Sequence, residues 1–214
     1  MNDTEIRFTS AEQLRAALGS PVDLAVRKAL PRLDKYSRAF IERAPFLALG
    51  TADAAGKGDV SPRGDRPGFV LVLDDHTLFI PERPGNARYD TLLNILVNPN
   101  VGLLFFVPGF EDMLRVNGTA SVVYNPSLLA RCEVNGKLPK VGIRVHVEEA
   151  YLHCAKALKR SRLWDDTARR DRRELPTLGR MILEQTAAAG DAPTEELVST
   201  VDGYIDENYR NELY

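Results

Sequence analysis

The sequence predicts an α+β protein: a mainly antiparallel β-barrel of about six strands, with helices before and after it. Two observations carry this. Short apolar runs of strand length, punctuated by Gly, Asp and Asn, fill the middle of the chain, too closely spaced for the crossovers of a parallel sheet. Both flanks instead show helical periodicity and capping residues. The 214 residues are expected to form one domain: a helical N-terminal extension over 1–44, the barrel over 45–150 and C-terminal helices over 151–214.

The elements follow in order. Ser10 caps a first helix, with Gln13 three residues later and Gly19 at its end. A second helical stretch spans 21–44, nicked at Pro31 and ended by Pro45, with Leu33, Tyr36, Phe40 and Ile41 on one face. FLALGTA reads as a strand, DAAGKG as its turn and DVSPR as renewed extended structure. FVLVLD and HTLFI form a hairpin about Asp74-Asp75. A helix runs from Asn86 to about Val97. VGLLFFVP is apolar on both faces and so predicts a central strand. MLRVNGTASVVY is a strand in which Asn117-Gly118 marks a turn or bulge. PSLLARCEV is a short helix. KVGIRVHVEEA alternates, with Val141, Ile143, Val145 and Val147 on one face. YLHCAKALKRSRLW reads as a helix, and two more follow from Leu178 to Tyr214, broken at 190–193 by Gly190 and Pro193.

Composition narrows the function. The chain is 44% hydrophobic and 27% charged, ordinary for a globular protein. A net charge of −2 gives no general attraction to nucleic acid or to an anionic membrane, so neither is an expected partner. The longest apolar runs are strand-length. The start, MNDTEIRFTSAEQLR, has no basic head followed by an apolar run, and Cys132 and Cys154 lack CxxC spacing. Reduced thiols and a cytoplasmic location are the expectation.

The chemistry-bearing residues cluster in the middle third. SPRGDRPG places Arg63, Asp65 and Arg66 among residues that break strand pairing. IPERPGNARYD places Arg83, Asn86 and Arg88 where a strand leads into a helix, and Arg115 interrupts an apolar strand. Each arginine alone reads as a surface charge. Gathered at strand–loop–helix junctions they predict a phosphate pocket, since free N–H groups at a helix start and guanidinium forks both favour oxyanions.

The segment from Phe46 to Val123 resembles the pyridoxamine 5′-phosphate oxidase-like flavoproteins, the FMN-binding split β-barrel family. The matching pieces run in order: FLALGTADAAGKGDVSPRGD, VLDDHTLFIPERPGNARYDTLLNILVNPNVGLLFF and LRVNGTASVV. NPNVGLLFF is the most recognisable piece, and HCAKALKRSRLW is similar to a subgroup of uncharacterised FMN-dependent members. The resemblance covers roughly residues 36–165.

The resemblance implies a homodimer with FMN in two interfacial clefts, working as an oxidoreductase on a small-molecule substrate. It sets Arg63, Gly64 and Asp65 along the isoalloxazine and ribityl, Ile80 and Pro81 on the facing strand, and Asn86 and Arg88 at the phosphate. Lys156, Arg160 and Trp164, at i, i+4 and i+8 on one helical stripe, are candidates to reach across the interface. A flavin supplies the redox chemistry, here hydride transfer at N5, and Arg115 or Lys156 would favour its anionic reduced form. Two departures separate the chain from pyridoxamine phosphate oxidase itself. Gly64, Asp65, Arg66, Pro67 and Gly68 replace a regular strand, and Arg162-Leu163-Trp164 is only a fragment of the Arg–Leu–His substrate motif. The alternatives are an F420-dependent reductase, a flavin-binding protein without turnover and a haem-binding barrel. His153-Cys154 invites a metal reading, but adjacent helical residues diverge and no paired ligand set exists. The arginine-rich run from Lys156 to Leu175 carries acids that offset its charge, so it reads as a solvated segment laced with ion pairs.

Overall fold

The computed structural model describes residues 5–188 and 191–214. Seven antiparallel strands form one sheet in the order β2-β1-β5-β6-β7-β4-β3. They are β1 (Phe46–Ala52), β2 (Gly58–Gly64), β3 (Leu71–Val72), β4 (Thr77–Pro81), β5 (Asn100–Phe106), β6 (Met113–Val123) and β7 (Gly142–His153). With the flanking helices this is the α+β split barrel. Each of the seven extended segments read in the sequence supplies one strand, against the overall expectation of about six, and FVLVLD is reduced to the two-residue β3. β5 lies inside the sheet, between β1 and β6, as its apolar run requires.

Period-2 alternation builds the core. Leu47 and Leu49 of β1, Leu103 and Phe105 of β5, Leu114 and Val116 of β6, and Ile143, Val145 and Val147 of β7 all turn inward. Helix α3 (Lys35–Ile41), capped by Asp34, adds Phe40 and Ile41. Helix α4 (Asp90–Val97) adds Ile95 and fastens itself to β1 through Asn94, whose Nδ2 donates to Thr51 Oγ1 at 3.1 Å. A smaller cluster of Phe79, Leu129 and Cys132 sits under α5 (Pro126–Ala130), which Asn125 caps.

Several helix boundaries differ from the sequence reading. The N-terminal helix α1 (Ala11–Leu18) has the expected Ser10 and Gly19 caps. The stretch over 21–44 instead breaks into α2 (Asp23–Arg27) and α3, because Leu30 leaves the helix to pair with Ala150 of β7. α4 begins at Asp90, since Ala87 and Tyr89 hold left-handed φ values of 57° and 58° that no helix accommodates. β7 continues to His153, so the next helix, α6, covers only Lys156–Ser161. Left-handed Arg162 ends α6, and Trp164 therefore leaves the stripe proposed for Lys156 and Arg160.

Beyond α6 the arginine-rich segment forms two 3-10 turns, with ion pairs Arg162–Asp165, Arg169–Asp166, Arg170–Glu174 and Arg173–Asp171. The tail forms α7 (Leu178–Thr186) and α8 (Glu195–Asn211); of the break expected over 190–193, Gly190 lies outside the described residues and 191–193 are non-helical. These two helices pack on each other: Asp202 of α8 accepts the Gly179 N–H at 2.9 Å. Both cysteines are free, Cys132 buried and Cys154 exposed. Among the described residues no helix is long and apolar enough to cross a membrane.

Candidate functional site

A cleft of about 420 Å3 opens between β2 and the segment joining β4 to α4. Strand alternation puts Asp59, Ser61 and Arg63 of β2 on one side of the strand, half-buried, while Val60, Pro62 and Gly64 are exposed. Pro81, at the end of β4, hands the chain to Glu82, Arg83, Pro84 and Gly85 along the opposite wall. Asn86, Tyr89 and Thr91 complete the rim at the start of α4. Two left-handed non-glycine residues in this short loop each cost on the order of 1–3 kcal/mol. Such strain persists where surrounding structure enforces it, and it concentrates at binding loops.

The polar groups in and around the cleft form one network about Arg63 and separate ion pairs at Arg83 and Arg88. Arg63 Nε donates to Ser61 Oγ at 3.2 Å, and Thr91 Oγ1 donates to the same oxygen at 2.9 Å. Arg63 Nη1 pairs with Glu82, with both side chains mostly buried. Arg83 Nε donates to Asp65 Oδ2 at 2.7 Å. Arg88 Nε reaches Asp90 Oδ2 at 2.7 Å in solvent. Each of these arginines already holds a carboxylate. An incoming oxyanion would compete with those carboxylates as acceptor for the guanidinium donors, while the Ser61 hydroxyl, which accepts from Arg63 and Thr91, keeps its own proton to donate.

The residues singled out in the sequence are distributed unevenly. Arg63, Gly64, Pro81 and Asn86 share the cleft. Ile80 does not present its side chain there: it is fully buried in the barrel core, leaving only its backbone on the strand. Asp65 is committed elsewhere, its Oδ1 accepting from the Arg66 N–H at 2.7 Å and the Tyr214 hydroxyl at 2.8 Å. Arg88 is exposed outside the cleft wall, its N–H donating to Asn86 Oδ1 at 3.1 Å. Arg115 lies on the outer sheet face, donating to the Tyr151 hydroxyl at 2.9 Å. Lys156 and Arg160 are exposed on α6, and Trp164 Nε1 donates to the Phe110 carbonyl at 2.8 Å. None of these last four lines this chain's own cleft.

Sequence reasoning missed Ser61, Glu82 and Thr91. The signal for Ser61 was available, because a residue two positions from Arg63 on a strand shares its face. Thr91 and Glu82 come from separate segments brought together only by the fold.

The pyridoxamine 5′-phosphate oxidase family model matches residues 33–154, more than half of the chain and all of the cleft. The chain belongs to this family. Among solved structures, it resembles HupZ of Group A Streptococcus at 20% identity, with a TM-score of 0.46 over 55% of this chain and 91% of that one. A putative pyridoxamine 5′-phosphate oxidase of Lactobacillus delbrueckii shares 23% identity, with a TM-score of 0.44 over 57% and 95%. HutZ, the haem storage protein of Vibrio cholerae, shares 22%, with a TM-score of 0.41 over 57% and 94%. No curated protein matches the chain.

Proposed function

We propose that this chain binds FMN in the β2–α4 cleft and acts as an FMN-dependent oxidoreductase on a small-molecule substrate. The supporting observation is the convergence of Arg63, Ser61, Thr91 and Asn86 on one cleft inside the family-matched segment. Its donors suit a phosphate monoester. The volume of about 420 Å3 falls within the roughly 300–1,000 Å3 common for small-molecule sites. The backbone of Gly64 on one wall and the ring of Pro81 on the other leave side-chain-poor surface for the isoalloxazine. When bound, FMN supplies the redox chemistry, and the protein's part is to bind, orient and shield it. Arg115, Lys156, Arg160 and Trp164 contribute only if a second copy brings them to the cleft, which is the homodimeric arrangement we propose.

The test is the visible spectrum of the purified protein before and after adding FMN. Bound-flavin bands are expected. Arg63→Ala is expected to weaken binding about tenfold, as loss of a charge-assisted hydrogen bond of about 1.5 kcal/mol implies, and Arg63→Ala with Arg88→Ala to weaken it further. A protein that ignores FMN, prefers F420 or shows a haem Soret band would overturn the cofactor assignment. Reduction of the bound flavin by NAD(P)H or another donor is the outcome expected of an enzyme. A flavin that binds but resists every donor would leave a carrier and overturn the oxidoreductase.

A further inference from the structure

Residues 5–28 contain two short helices, α1 and α2, and not one of these residues is buried. The segment precedes the family-matched region, which begins at residue 33. Yet its composition is not that of a solvated leader. Ile6, Phe8, Leu14, Leu18, Val22 and Leu24 are all exposed, Leu18 at 81% and Leu24 at 70%. Leu14 and Leu18 lie one turn apart on α1. Helices of eight and five residues do not hold in water by propensity alone, where roughly 12–15 residues are marginal even for good formers. Their apolar face calls for a cover that this chain's own body does not give.

The anchor of the segment says what covers it. Leu30 exchanges two backbone hydrogen bonds with Ala150 of β7, at 3.1 and 2.8 Å, and Lys28 Nζ donates to the Leu152 carbonyl at 2.7 Å. The arm therefore departs from the end of β7 that lies beyond its pairing with β4, at the margin of the outer face of β1, β5, β6 and β7. On that face Ala48, Leu104, Arg115 and Tyr151 line up across four strands, followed by Gly50, Gly102, Asn117 and Glu149. A Cβ on Gly50 or Gly102 would meet only ordinary contacts at 3.5 Å, and neither needs a left-handed backbone. Nothing inside this chain demands those two glycines. A bare backbone in mid-sheet suits the close approach of another body. If two copies pair isologously on this face, an arm leaving its edge runs onto the partner, and two-fold symmetry makes the exchange reciprocal.

We propose that residues 5–28 are an exchange arm that packs its apolar face on a second copy of this chain. This rests on the homodimeric arrangement proposed above. The test uses the full chain and a Leu14→Glu, Leu18→Glu, Leu24→Glu variant. All three positions are solvated in the single chain, so the barrel should fold in both, which circular dichroism checks. Sedimentation gives the dimer dissociation constant, and hydrogen exchange reads the α1 amides above and below it. The expected result is protection of those amides in the dimer, its loss on dilution, and a dissociation constant at least about tenfold weaker in the variant. Protection that persists on dilution would place the arm on its own chain and overturn the proposal. So would a dimer whose arm exchanges freely, or a chain that stays monomeric at every concentration. FMN uptake is read separately: an apo dimer with a protected arm would remove the cofactor and keep the arm, and an FMN-bound dimer with a free arm would do the reverse.

Discussion

Asp65→Ala is expected to lower stability by about 3 kcal/mol, at the low end of the range for breaking a buried ion pair from one side. The Asp65 side chain is only 2% exposed. Its two oxygens satisfy three donors: the Arg66 N–H, the Tyr214 hydroxyl and the Arg83 guanidinium. Removing it leaves Arg83, itself mostly buried against the Tyr214 ring, without its carboxylate. The measurement is urea unfolding of Asp65→Ala beside Tyr214→Phe, which deletes one hydrogen bond and should cost about 1 kcal/mol. Equal losses in the two variants would show that the ion pair adds nothing. The same site predicts a pH dependence. Burial pushes the Asp65 carboxyl up, but its three donors outweigh burial and hold it below the usual 3.8. A depressed value in the folded state means the contribution is complete above the unfolded carboxylate range, near 4, and disappears as pH falls through the folded value. Wild type should therefore lose stability below pH 4 more steeply than Asp65→Asn.

The barrel was legible because its strands obey the period-2 rule and their turns use ordinary turn chemistry. β1, β5 and β6 stand where FLALGTA, VGLLFFVP and MLRVNGTASVVY place them. The helix starts were less legible for a physical reason. RYDTLLNIL carries helical periodicity through its apolar residues, but Ala87 and Tyr89 take left-handed conformations that composition does not announce. The site was half legible. Arg63, Gly64, Pro81 and Asn86 were singled out and share the cleft, whereas the pairing of Glu82 with Arg63 and of Asp65 with Arg83 became visible only in three dimensions. In the sequence Arg63 and Arg88 both lie at strand–loop–helix junctions, although the resemblance gives them different parts of the flavin. The difference is that β2 turns Arg63 inward, while the loop leaves Arg88 in solvent.

Gly118→Ala should disrupt the junction of β6 and β7 and cost about 3 kcal/mol, near the upper end for overpacking a core position. A Cβ there would lie 1.9 Å from the His146 carbonyl oxygen and 3.0 Å from its carbon. Both are backbone atoms of a paired strand, so no side chain can swing aside. The crowding has a cause. Pairing shifts at Asn117/Gly118: Asn117 faces Glu149 but Gly118 faces Val147, which leaves Glu148 as the extra residue of a bulge. Before it, Ile143, Val145 and Val147 point inward; after it, Ala150 does. An unbroken alternation would have driven Glu149, Tyr151 and His153 into the core. The bulge instead sets Tyr151 beside Arg115 and Glu149 beside Asn117 on the outer face, where Asn117 Nδ2 donates to Glu149 at 2.7 Å. A substitution inside the barrel is thus expected to act on its outer surface as well. The measurement is urea unfolding together with sedimentation, with Gly203→Ala as the control. Gly203 lies in α8 with open space around it, so alanine there should stabilise by roughly 0.5–1 kcal/mol. If Gly118→Ala were as harmless as Gly203→Ala, β6 and β7 would have room to relax, and the bulge would not be what divides the inner face from the outer one.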